Sequence, residues 1–149
     1  GLNREERMIR AQEYLETNVL TATPQQLHLM VVDGAIRASN RAAEALGAHD
    51  FENAHLALNE ARGLVTELIG GLDTEKAPEL VEKLKGLFVF VYRNLADADR
   101  NRDEAKVQSA LKILRIHRDT WTMLIDRLSA GMEETQPPTT PSEPRSWTT

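Results

Sequence analysis

The hydrophobic positions recur every three or four residues between seams of glycine and proline, and those seams divide the chain into elements. Thr23-Pro24-Gln25-Gln26 carries a hydroxyl N-cap, a proline at the first helical position and a glutamine able to close a capping box, which predicts a helix over 24–46 stopped by Gly47. Asp50 caps a second over 51–69, whose buried face is Phe51, Ala54, Leu58, Ala61, Leu64, Val65, Leu68 and Ile69, ended by Gly70-Gly71. A third begins near Pro78 and carries Leu80, Val81, Leu84, Leu87, Phe88, Val91 and Leu95 up to the polar run Asp97 to Asp103. Its centre, Leu87 to Tyr92, has strand-like propensity, but the 3.6-residue stripe runs through it and the chain offers no strand to pair with it. The fourth, over 103–129, aligns Val107, Ala110, Leu111, Leu114, His117, Trp121, Leu124, Ile125 and Leu128, with Gly131 after it.

Two flanking pieces behave differently. In residues 1–20, Met8, Ile9, Leu15 and Val19 alternate with charged side chains, a marginal amphipathic helix without a strong cap. Beyond Gly131 come Pro137, Pro138, Pro141 and Pro144 among many Thr and Ser, a composition that predicts a disordered tail. The expected fold is all-α: an antiparallel up-down-up-down four-helix bundle over 23–131, preceded by a segment over 1–22 and followed by a tail over 132–149.

Composition narrows the function. The 149 residues include no Cys, which excludes disulfides and thiol chemistry. The longest unbroken apolar run is the stretch Leu87 to Tyr92, far short of the roughly 20 residues a membrane helix needs. No apolar region of a signal peptide is present either, so a soluble cytoplasmic protein without membrane insertion is expected. A net charge of -5 with 5% aromatic residues argues against nucleic-acid binding.

Candidate chemistry is thin. Glu52-Asn53-Ala54-His55 matches once the Glu-x-x-His unit that di-iron bundles use twice, and His28, His49 and His117 lack the preceding Glu. His117 has no Ser or Cys nucleophile beside it and reads as structural, and Trp121 reads as a core anchor of its helix. We therefore expect no enzyme, no metal and no cofactor. What stands out is excess apolar surface: Leu27 to Val32 and Leu87 to Tyr92 are apolar nearly all round, more than three neighbours cover. Leu27, Met30 and Val31 with Leu87, Phe90 and Val91 are the candidate partner-binding residues, forming a groove for an amphipathic segment. Residues 1–20 are the candidate cover for that groove.

The run Tyr14 to Val19, followed by Thr21-Ala22-Thr23-Pro24-Gln25-Gln26-Leu27-His28-Leu29-Met30-Val31-Val32-Asp33-Gly34-Ala35-Ile36-Arg37, resembles the opening signature of the flagellar secretion chaperone FliS family. Weaker similarity continues through Tyr92-Arg93-Asn94-Leu95 and Arg118-Asp119-Thr120-Trp121, covering about residues 8 to 130. The resemblance implies a cytoplasmic export chaperone that binds the C-terminal segment of flagellin, prevents premature polymerisation and delivers it to an export-gate component of the flagellar type III secretion apparatus. Tyr14 is then either an attachment point of the cover or part of the surface shown to the gate. A helical adaptor or anti-activator bound to another regulatory protein is the alternative such a bundle leaves open.

Overall fold

The computed structural model describes residues 3–135, with the side chains of 3–13 and 21–131. Five helices follow one another: α1 (Arg4–Thr21), α2 (Pro24–Gly47), α3 (Phe51–Gly70), α4 (Pro78–Asn101) and α5 (Glu104–Thr135). The last four pack as a ring in which α2 meets α3 and α5, and α4 meets α3 and α5, leaving α2 and α4 diagonally opposed. Antiparallel succession in such a ring is the expected up-down-up-down bundle.

Local chemistry explains the boundaries. The capping box forms: Gln26 N–H donates to Thr23 Oγ1 at 3.1 Å, and Thr23 N–H to Gln26 Oε1 at 3.0 Å. Asp50 accepts from Asn53 N–H at the start of α3. The core is aliphatic, with Val32, Leu58, Val65, Phe88, Val91, Leu95, Leu111 and Leu114 fully buried, and alanines such as Ala35, Ala42 and Ala61 let α2 and α3 approach closely.

Several expectations need correction. Residues 1–20 do possess a cap, because Asn3 Oδ1 accepts from Glu6 N–H at 2.8 Å and Glu5 and Glu6 favour the positive helix end. Of the apolar residues expected to dock this segment, Met8 and Ile9 are exposed, and the side chains of Leu15 and Val19 lie outside the described residues. α4 does not stop at the polar run. Ala98 is buried and Asp99 is held by Arg62 at 2.9 Å and by His55 at 2.8 Å, so the turn they occupy is locked to α3 and the helix continues to Asn101. Gly131 does not end α5, which runs to Thr135; a helical glycine costs up to about 1 kcal/mol, which is not enough to break a long helix. The rest of the expected tail, 136–149, lies outside the described residues.

Candidate partner-binding surface

Four seams join the ring, and they are not alike. α2 and α3 are tied by Arg41 to Glu60. α3 and α4 are tied through Asp99 to Arg62 and His55. α2 and α5 are tied most heavily, by Arg118 Nε to Asp33 Oδ1 at 2.6 Å, Arg115 to Asn40 at 2.9 Å, Trp121 Nε1 to the Gln25 carbonyl at 2.9 Å, and His28 Nε2 to His117 Nε2 at 2.7 Å. Among the described residues no hydrogen bond or ion pair between side chains crosses from α4 to α5. The rings of Phe88 and His117, 5.0 Å apart and perpendicular, mark where these two helices meet in the core.

That unstitched seam has a long apolar outer rim. On α4, the flank opposite the α3-facing Asp99 carries Leu80, Lys83, Leu87, Phe90 and Asn94 at alternating spacings of three and four. On α5, the flank opposite the α2-facing Arg115 and Arg118 carries Lys106, Ser109, Ile113, Ile116, Thr120, Leu124 and Arg127. Because the two helices run antiparallel with Phe88 beside His117, Leu87 and Phe90 fall level with Ile116, and Leu80 with Leu124. Large apolar side chains here stand open to solvent: Phe90 is 47% exposed, Leu87 41%, Leu80 56% and Ile116 54%.

The candidate residues separate on this frame. Leu87 and Phe90 belong to the α4–α5 rim. Val91, one position on, is 0% exposed and part of the core, because it lies on the stripe of Phe88 and Leu95 that faces the bundle interior; it has no surface to offer a partner. Met30 is exposed and Leu27 and Val31 half-buried, but all three stand on α2, diagonally across the bundle from α4, so they do not form one groove with Leu87 and Phe90. The side chain of Tyr14 lies outside the described residues. The apolar residues the sequence reading missed are those of α5, Ile116 above all. They sat beside the core stripe and were masked by it, although their own spacing of three and four was the available signal.

His117 is structural, but not alone. It bonds His28 inside a box closed by Phe88 and Trp121, with the His28 and Trp121 rings 4.3 Å apart. Burial, and then the neighbouring His117, push the His28 pKa down from 6.5 to about 4; burial also lowers that of His117. Both imidazoles are neutral near pH 7, one donating and the other accepting. Among the described residues no group of three or more potential ligands could hold a metal, and none of the helices is long and apolar enough to cross a membrane.

A family model described as Flagellar protein FliS matches residues 7–128. The chain belongs to the FliS family. Its curated relatives include the flagellar secretion chaperone FliS of Salmonella typhimurium, 30% identical over 120 residues that cover 80% of this chain and 89% of the relative. The namesake proteins of Escherichia coli, 29% identical over 112 residues, and Bacillus subtilis, 27% identical over 112 residues, cover 82% and 83% of their own lengths. The FliS match spans α2, α3 and α4 and most of α1 and α5, so the α4–α5 rim lies within the family region.

Proposed function

We propose that this chain is a cytoplasmic flagellar export chaperone whose bundle, residues 23–131, binds the C-terminal segment of flagellin, keeps it from polymerising early and presents it to the export gate. The observation that carries this reading is the row of open apolar side chains along α4 and α5 in a chain of the FliS family. A filament subunit's terminal segment is an amphipathic helix former whose apolar face seeks other subunits; a chaperone has only to cover that face, with no catalysis or nucleotide. Burying the open parts of Leu80, Leu87, Phe90 and Ile116 supplies about 1 kcal/mol each, enough in sum to exceed the few kcal/mol of ordering the guest. Exposed Met30 extends the contact on the other side of the bundle if the guest wraps around it. Tyr14 is assigned, as the family resemblance implies, to the attachment of the N-terminal segment or to the surface shown to the gate.

Titration calorimetry with a flagellin C-terminal segment tests the reading, with roughly equimolar binding as the expected result. Phe90→Asp should weaken binding at least about tenfold with helical circular dichroism unchanged, since it removes about half a buried Phe and desolvates a charge. Val91→Asp should instead unfold the bundle. Unchanged affinity in Phe90→Asp would remove the guest from this rim.

A further inference from the structure

A recess lies where the first turn of α2 meets the C-terminal half of α5, away from the α4–α5 rim. Thr23, Gln25 and Gln26 line it from α2, and Ile125, Leu128 and Ser129 from α5, around 260 Å³. Sites for drug-sized ligands run to roughly 300–1,000 Å³, so this one suits a single large side chain. Its polar lining is mostly engaged already: Thr23 and Gln26 bond each other in the capping box, and the Gln25 carbonyl accepts from the Trp121 indole. What stays open is aliphatic surface, with Leu128 46% exposed, and the Ser129 hydroxyl, which bonds none of the described residues.

The chain itself supplies such a side chain. α5 continues to Thr135, about 10 Å beyond Leu128 at 1.5 Å per residue. Residues 136–149, outside the described ones, hold a single large apolar residue, Trp147. Pro137, Pro138, Pro141 and Pro144 favour extended polyproline geometry at about 3.1 Å per residue, so the path from Thr135 to Trp147 reaches up to about 37 Å, well over the return to Leu128. Tethering sets an effective concentration in the millimolar range, so docking needs only millimolar intrinsic affinity. An indole joins a large apolar area to one N–H donor, which matches the aliphatic lining and the open Ser129 Oγ. Charge agrees with this occupant. Asp126 is exposed, has no ion-pair partner among the described residues and borders the recess one turn before Ser129, while Arg145 stands two residues before Trp147.

We infer that Trp147 folds back onto the bundle and seats its indole in this recess, with Arg145 beside Asp126 and the Pro/Thr-rich stretch between as a tether. The recess is an internal docking site, and its occupant shields Ile125 and Leu128 from other apolar partners. This docking is independent of the flagellin reading, because both partners belong to one chain.

Fluorotryptophan labelling of the full chain provides the test by fluorine NMR, since Trp121 and Trp147 are its only tryptophans and Trp147→Phe assigns the two resonances. A labelled synthetic peptide of residues 136–149 marks the position of the free side chain. In the full chain the Trp147 resonance should be broader and displaced from that position. Leu128→Asp, at an exposed site outside the core, should return it to the free position with helical circular dichroism unchanged. If that variant unfolds, Ser129→Arg, which fills the mouth of the recess from an exposed helical position, should have the same effect on a folded bundle. A Trp147 resonance that coincides with the free peptide in the parent chain would overturn the inference and leave the recess to α1 or to another protein. So would a displacement that persists in the folded recess variant. A displacement lost on dilution would overturn it too, by giving the recess to Trp147 of a second copy.

Discussion

Replacing His28 by Gln isolates the acid sensitivity built into the α2–α5 seam. The folded pKa of His28, about 4, lies below its unfolded value of 6.5, so unfolding takes up a proton between those values. The stability this group contributes is therefore complete above pH 6.5 and is lost progressively as pH falls toward 4. At 1.36 kcal/mol per unit the displacement has a ceiling of about 3 kcal/mol. His28 keeps partial contact with water, so an effect of about 1–2 kcal/mol is expected, and the lowered pKa of its partner His117 acts in the same direction. Gln preserves a side chain that can donate to or accept from His117 Nε2 but cannot titrate. Urea unfolding of parent and variant at pH 7.5, 6.5, 5.5 and 4.5 measures the difference. The parent should lose about 1–2 kcal/mol more than His28→Gln across this range, with the carboxylate contributions common to both cancelling. Parallel pH profiles would refute the reasoning and mean that His28 is well solvated or that the imidazolium is held by the Trp121 face.

Trp121→Phe keeps the ring in the His28–Phe88 box but removes the indole N–H that reaches the Gln25 carbonyl; a fall of about 1 kcal/mol in unfolding free energy is expected, and Trp121→Ala should cost about 2–4 kcal/mol by thermal melting. Gly63→Ala should raise stability by about 0.5–1 kcal/mol, because a Cβ there meets nothing within 4 Å and the helix gains propensity; a loss would show that α3 is not regular at that turn.

The four bundle helices were legible because Thr23, Asp50 and Pro78 announce the starts of the first three and the apolar stripes have a single period. Their ends were less so, for a physical reason. Glycines were read as left-handed stops, yet among the described residues every glycine has negative φ, and the left-handed turns are made by His49, Ala77 and Arg102. Arg102 offsets part of its backbone cost by placing its guanidinium 4.0 Å above the Phe51 ring, a contact between residues too far apart in sequence for local pattern to reveal. The open apolar rim was half legible. An apolar excess at Leu87 to Tyr92 marks α4, but a run of consecutive residues does not say which members turn inward, and so Val91 was grouped with Phe90. The His28–His117 pair, 89 positions apart, carries no sequence signal at all.

Directional bonds fix the register of one helix against another, since sliding by even part of a turn breaks a 2.6–2.9 Å contact such as Arg118 to Asp33 or Arg62 to Asp99. Dispersion between aliphatic side chains is far more tolerant of such sliding. With three seams bonded and the fourth held by apolar packing, the bundle has one direction of compliance, shear of α4 along α5. A small longitudinal slip between these two helices is therefore the deformation the bundle resists least, while α2 and α3 hold the frame in which that slip occurs.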